Sequence, residues 1–311
     1  MDGGGRGEDP SYRADACSEA GAAVGVSAAT DASGDRLRLI TWNVARRRSR
    51  LVEQAAALAG REPSIVALQE VTRQTLSLWR HAFRLMGLEY VRSSLDSGRV
   101  SQIAAARRGS GVLLASRVPL NDVEHPLSVP WPEAALWAAA ETTGGAVEVV
   151  CVHVPNAANG TVRPQTLRAI RHAVAGAGSG ARVVCGDLNT PRRELPTGEV
   201  LSFARDRHGR LRPDRGLDWD AAELGVVPGL RDLGYRDAYR AVHGYESSDP
   251  SWTWQQIAGH GGGWRIDHIF ASAHLQPVTC LYHHGWRECG LSDHSALEAD
   301  LRRAHTAARP R

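Results

Sequence analysis

Three runs of β-type apolar residues stop abruptly at an acid or an amide, and this constrains the fold of the chain more than any overall property. Leu37 to Ile40 leads to Asn43, Ser64 to Leu68 leads to Glu70, and Arg182 to Cys185 leads to Asp187 and Asn189. Such runs read as buried strands. Polar side chains at the ends of neighbouring buried strands converge at one edge of a sheet. Hard oxygen ligands gathered there can hold Mg²⁺ or Mn²⁺ while a phosphate and water complete the shell. That edge is the candidate active site.

Two further fragments follow the same order toward the C-terminus: Trp264-Arg265-Ile266-Asp267-His268 beyond the Gly-rich stretch 259–263, and Ser292-Asp293-His294. A lone Asp or Asn after a strand is usually a turn residue, since both tolerate left-handed backbone and bond their own chain. A lone His is more often a solvated or core residue than a catalyst. The five fragments taken together, in order, weigh against the turn reading.

The ordered set Thr41-Trp42-Asn43, Leu68-Gln69-Glu70, Gly186-Asp187-Leu188-Asn189, Trp264 to His268 and Ser292-Asp293-His294 resembles the endonuclease/exonuclease/phosphatase superfamily, over about residues 36 to 302. That superfamily includes exonuclease III-type abasic-site endonucleases, pancreatic-type deoxyribonucleases, sphingomyelinases and inositol polyphosphate phosphatases. The resemblance implies that Asn43 and Glu70 sit at the metal with Asp293 beside it. It also implies that Asp187 and Asn189 position or deprotonate the attacking water and that Asp267 orients His294.

The residue chemistry fits those roles. Phosphodiester hydrolysis needs charge neutralised on the nonbridging oxygens, a water aimed in line and help for the departing alkoxide. Asp187 suits the base, since a carboxylate near a metal and an Asn donor stays ionised at neutral pH. His294 suits a phosphate-facing donor, and a carboxylate on its other nitrogen would fix its tautomer and favour its charged form.

Val152-His153-Val154-Pro155-Asn156 also fits the family, with a departure. Exonuclease III-like members carry Tyr where this chain has His153, whereas deoxyribonuclease- and sphingomyelinase-like members use His in that region. Pro155-Asn156 is typical of the exonuclease III side. His153 is expected to contact phosphate, and Asn156 to contact substrate.

Length and composition agree with one catalytic domain over 36–302, preceded by a disordered Gly/Ala/Ser/Asp-rich leader over 1–35 and followed by a flexible tail, 303–311. No run approaches the length of a membrane span. The 5 cysteines form no close pair, and Cys151 and Cys185 fall inside expected strands, so they read as reduced core thiols and the expected compartment is the cytoplasm. The oligomeric state is not specified by the sequence; a monomer is assumed.

Net charge is only +3, which argues neither for nor against nucleic acid, but all 37 basic residues are Arg. Clusters occur at Arg46-Arg47-Arg48, Arg107-Arg108 and Arg192-Arg193, and the first and last follow directly after Asn43 and Asn189, where guanidinium forks suit phosphate. An Arg-for-Lys bias on ordinary solvated loops is the competing explanation. By resemblance to abasic endonucleases, Trp254, Trp264 and Ile266 stand where apolar walls receive an extruded sugar, although aromatic residues near a hairpin are more often packing.

Between the motifs, Arg50 to Ala59, Thr72 to Met86 and Pro164 to Val174 have helical spacing. Val112 to Ala115, Leu136 to Glu141 and Val147 to Val154 read as strands, the last two joined as a hairpin. The interval 192–237 is the least regular, helical only around Trp219 to Leu224. Hairpins mixed with helical crossovers argue for mixed sheets. The resemblance completes the expected fold class: α/β, a four-layer α/β sandwich with two mixed β-sheets packed face to face and helices outside. The function it implies is metal-dependent phosphodiester hydrolysis, in DNA and with abasic sites among the candidate targets. The alternative is a phosphatase or phosphodiesterase of small or lipid-linked phosphoesters, favoured by His153 and the modest charge.

Overall fold

The apolar runs become strands with two buried faces, which explains their lack of polar alternation. In β1 (Arg36–Asn43), Leu37 and Leu39 enter one core while Ile40 and Trp42 enter another. The computed structural model describes residues 36–107, 109–123, 127–247, 249–255 and 261–304, without the side chains of 104, 106, 253–255 and 261. The expected leader, 1–35, lies outside the described residues.

After β1 come α1 (Leu51–Ala59), β2 (Ile65–Val71), α2 (Arg73–Leu85), β3 (Tyr90–Ser93), α3 (Gly98–Ala106), β4 (Gly111–Ser116) and β5 (Leu120–Asp122). The hairpin β6 (Ala135–Thr142) and β7 (Gly145–His153) leads through α4 (Val162–Gly176) to β8 (Arg182–Asp187). The irregular interval holds a ribbon, β9 (Arg193–Glu194) and β10 (Val200–Leu201), then α5 (Gly216–Leu224), α6 (Val227–Asp232) and β11 (Arg236–Asp237). Next are α7 (Ala238–His243), a second ribbon of β12 (Trp252–Gln255) and β13 (Gly261–Trp264), β14 (Asp267–Ala271), β15 (Leu275–His283), α8 (His284–Glu288) and β16 (Ala296–Arg303).

Two six-stranded sheets result, ordered β15-β16-β1-β2-β4-β3 and β11-β14-β8-β7-β6-β5. Both are mixed: β1 runs parallel to β2 and β7 parallel to β8, each through a helical crossover, while the other pairs are antiparallel. The sheets face each other across Leu37, Leu39, Ile65, Val112 and Leu114 on one side and Val149, Cys151, Val183, Cys185 and Ile269 on the other. Helices cover the outer faces. Leu51 and Leu58 of α1 and Trp79 and Phe83 of α2 pack on Ile40, Trp42, Val66 and Leu68. Leu167, Ile170 and Val174 of α4 pack on Val150, Val152, Val184 and Phe270. This is the expected four-layer sandwich.

Local signals set several boundaries. Thr72 caps α2, its hydroxyl accepting the Thr75 N–H at 3.2 Å. Strand β8 runs past its apolar residues through Gly186, which has φ +127° and where a Cβ would lie 2.0 Å from the Val152 carbonyl oxygen. Only glycine lets β7 and β8 pair so closely beside Asp187.

Cys151, Cys185 and Cys280 are buried free thiols, in agreement with the reduced reading of Cys151 and Cys185. Among the described residues no helix is long and apolar enough to cross a membrane.

Candidate active site

Sheet register brings the strand-end residues abreast. Asp187 pairs with His153 across the parallel β7–β8 ladder and with Asp267 across the antiparallel β8–β14 ladder. The facing sheet contributes Asn43 at the end of β1. Glu70 comes from an irregularity in β2, whose pairing with β4 shifts between Leu68 and Val71. Glu70 itself has φ +59°, so the extra residue re-aims its side chain toward the same end. Ala45, Arg46 and Asn189 also have left-handed backbone; with Glu70 they make four of the five such non-glycine residues described. Strained backbone concentrated in one place marks a functional edge.

Hydrogen bonds fix these side chains. Asp187 is 1 % exposed and accepts from the Asn189 backbone N–H at 2.9 Å, the Asn189 amide at 3.2 Å and the Asn43 amide at 3.1 Å. Asn43 also donates to Glu70 at 3.4 Å, while its own oxygen accepts the Ala45 N–H at 3.0 Å. Asn43 therefore turns its nitrogen toward the two carboxylates and holds them, rather than offering its oxygen. His153 Nε2 stands between the same acids, 3.6 Å from Glu70 and 3.7 Å from Asp187. Glu70 also pairs with Arg46 at 3.1 Å.

The buried His294 donates Nδ1–H to Asp267 at 2.8 Å and turns Nε2 toward Asp187, 3.9 Å away. Its loop is pinned to the first sheet: Trp42 Nε1 donates to the His294 carbonyl at 2.9 Å, and the Ser292 hydroxyl donates to the Asn43 carbonyl at 2.6 Å. Asp293 is exposed beside it.

Protonation follows from the charges. Burial opposes the imidazolium, but the Asp267 carboxylate overcomes it and raises His294 to about 10, so the ring stays cationic at neutral pH. Burial, reinforced by Asp267, lifts Asp187 to about 6, leaving it mostly ionised at neutral pH. Glu70 is lowered: burial works against the charge, and His153 and Arg46 outweigh it. Asp187, Asp267 and His294 lie close enough to share a metal ion. A protonated imidazole already bonded to Asp267 is a poor ligand, however, so Glu70 with the exposed Asp293 is the better anionic pair for one.

These groups open into a cleft of about 780 Å³. One wall is aromatic: Trp252 stacks on Trp264 with centroids 5.0 Å apart, Phe203 meets Trp264 edge-on at 5.0 Å, and Ile266 lies alongside. Trp264 and Ile266 are the expected members of this wall, and Trp252 and Phe203 join them. The Trp254 side chain lies outside the described residues; its backbone pairs with Gly262. Trp252 was reachable from the hairpin, where it pairs with Trp264, whereas Phe203 carries no local signal. Asn156 also lines the cleft, its side chain capping the turn at Ala158.

Of the three arginine clusters, Arg46, Arg47 and Arg48 line an open hollow with Glu70 and Asp293, and Arg107 lines the cleft, Arg108 lying outside the described residues. Arg192 and Arg193 are not among the lining residues. Arg192 is tied by its backbone N–H to Leu201, and Arg193 is exposed on the β9–β10 ribbon. Glu194 anchors that ribbon elsewhere through two 2.7 Å contacts to the buried Arg265 and one to Arg240. Burial alone would raise Glu194, but Arg265 and Arg240 hold it at about 2.

The order of these groups along the chain matches a family model of the Endonuclease/Exonuclease/phosphatase family over residues 40–294. The chain belongs to the endonuclease/exonuclease/phosphatase family. Members are phosphoric ester hydrolases that generally require a divalent metal. Among solved structures, a D. rerio TDP2 complexed with single strand DNA product has 18 % identity and TM-score 0.61, covering 86 % of this chain and 99 % of that one. An AP endonuclease from Archaeoglobus fulgidus has 22 % identity and TM-score 0.60, covering 85 % and 98 %. An endonuclease/exonuclease/phosphatase protein from Beutenbergia cavernae has 18 % identity and TM-score 0.58, covering 87 % and 72 %. At these identities the likeness concerns the family fold alone. No curated protein gives a significant sequence match.

Proposed function

We propose that this endonuclease/exonuclease/phosphatase family chain is a Mg²⁺- or Mn²⁺-dependent phosphodiesterase that cuts double-stranded DNA at or near a damaged or 3′-terminal nucleotide. The observation that carries the reading is the pair of oppositely charged devices at the cleft floor. Asp187, held by three amide N–H donors, faces the cationic His294, held by Asp267. The two groups lie 3.9 Å apart, so a phosphate would sit in the cleft above the pair, its water deprotonated by Asp187 and its charge met by His294, with His153 and Asn156 alongside.

Glu70 and Asp293 would hold the cation, their hard anionic oxygens lining one open hollow, with Asn43 keeping Glu70 in place and Asn43 and Asn189 together holding Asp187 beside it. A bound Mg²⁺ or Mn²⁺ would neutralise charge on the phosphate. DNA is favoured over a small ester by the aromatic wall of Trp252, Trp264 and Phe203 and by Arg46 to Arg48 on the rim. A small-phosphoester reading is favoured by His153 standing between Glu70 and Asp187.

One assay separates the two: purified protein with Mg²⁺ or Mn²⁺ on abasic duplex, recessed 3′ ends, plasmid and soluble phosphate esters. DNA is expected to be the faster substrate; faster turnover of a soluble ester overturns the proposal. Neutralising Arg46, Arg47 and Arg48 together should flatten the salt dependence of DNA binding by up to about three units of slope, at about 0.9 per lost phosphate contact. An unchanged slope removes the rim from the binding surface.

Activity should vanish in EDTA and return with Mg²⁺ or Mn²⁺. Glu70→Gln should raise the metal concentration needed for half-maximal activity by about tenfold or more, with little change in thermal stability, because a ligand at a cleft edge adds little to the core. Undiminished turnover in metal-free buffer rules out this mechanism.

A further inference from the structure

Behind the groups already described lies a carboxylate sealed from solvent. Glu223 of α5 is 1 % exposed and has four partners. Its Oε2 accepts the Thr190 hydroxyl at 3.0 Å and the Phe203 backbone N–H at 2.8 Å. Its Oε1 accepts the Trp219 indole N–H at 2.6 Å and pairs with Arg163 Nη2 at 3.0 Å. Arg163, equally buried on the first turn of α4, donates from the same nitrogen to the Asn189 backbone carbonyl. Its guanidinium lies 5.1 Å from the Phe203 ring centroid. A buried ion pair is weak evidence for stability, since desolvation offsets its Coulomb gain, so the geometry it imposes is the more informative property.

That geometry falls on Asn189, which holds φ +51° and persists there only if its surroundings over-determine it. Three of its anchors lie on one side: its backbone N–H and side-chain amide on Asp187, and the same amide on the Val154 carbonyl at 2.8 Å. Arg163 holds the other side, through the carbonyl. Thr190, the next residue, is held by Glu223 directly. The same carboxylate fixes the Phe203 backbone, and with it the ring that meets Trp264. The insertion between β8 and β11 is thereby coupled both to the loop after Asp187 and to the cleft wall.

We infer that Arg163 and Glu223 are positioning residues: they lock the Asn189 peptide in the conformation that keeps its amides on Asp187 and seat Phe203 beneath Trp264. The inference rests on the reading of Asp187 and Asn189 as reacting groups.

The test uses Arg163→Lys, which keeps the charge on a shorter side chain and so withdraws the nitrogen that serves both Glu223 and the Asn189 carbonyl, and Glu223→Gln, which keeps the shape and weakens the pair. In either variant kcat should fall about ten- to fiftyfold with KM within about threefold. In an Asn189→Ala background the same substitution should cost less than about twofold, because it acts through Asn189. A full multiplicative loss there, or wild-type kcat in both folded variants, overturns the inference. Native-state hydrogen exchange gives a reading independent of activity. The Asn189 and Thr190 amides should exchange about tenfold faster in each variant while β7 and β8 amides keep their protection. Unchanged exchange at Asn189 sinks the positioning role. Faster exchange in a protein that hydrolyses none of the substrates sinks the proposed function and leaves this inference standing.

Discussion

Replacing His294 with alanine is expected to lower kcat by at least about 10² while KM changes little, because in the proposed function the imidazolium meets charge that develops in the transition state. The same change should destabilise the fold by about 3 kcal/mol, since it strands the 1 %-exposed Asp267 carboxylate without its cationic partner. Adding Asp267→Asn to His294→Ala separates the two effects. Asparagine removes the buried charge, so denaturation should recover most of the lost stability. Activity should stay within about threefold of the His294 single variant, because Asp267 acts only through the ring. Steady-state kinetics and urea unfolding of the single and double variants read both outcomes. Activity that falls again by another 10² in the double variant gives Asp267 a role of its own, and near-normal turnover in His294→Ala removes the ring from the reaction.

The strand-end residues of this site were readable because a structural constraint and a chemical one coincide. Strands covered on both faces need uninterrupted apolar runs, so an acid or amide that ends such a run stands out, as Asn43, Glu70 and Asp187 do. Sequence order could not say which ends are neighbours. The β7–β8 and β8–β14 registers supply that, placing His153 and Asp267 on either side of Asp187.

Reasoning from contiguity works where the chain stays at the site and fails where it leaves. Arg46 remains beside Glu70 because Ala45 and Arg46 turn through left-handed backbone at the cleft rim. Arg193 stands at a similar distance in sequence from Asn189, yet Glu194, held by Arg265 and Arg240, carries its ribbon to another anchor. Arg163 and Glu223 were hidden for a different reason. Each reads as an ordinary polar residue on a helix, and only a pairing across 60 residues buries them together. Phe203 is likewise placed by its backbone bond to Glu223 rather than by any local apolar pattern.

Asp187→Asn should reduce kcat by about 10² or more with substrate binding largely retained, the signature of a lost general base. A second cause could produce the same loss. Asp187 accepts from the amides of Asn43 and Asn189, so an amide nitrogen placed there would confront two donors and distort the loop. Asp187→Ala distinguishes them, because it removes the base without adding a donor. If the carboxylate is the base, alanine and asparagine should be inactive to within about tenfold of each other. If the carboxylate only organises the amides, alanine should recover at least about tenfold over asparagine. Single-turnover rates at saturating substrate decide it, since they report the chemical step without product release. Substantial recovery in Asp187→Ala would transfer the base to another group at the cleft floor, with His153, 3.7 Å from Asp187, the nearest candidate by geometry.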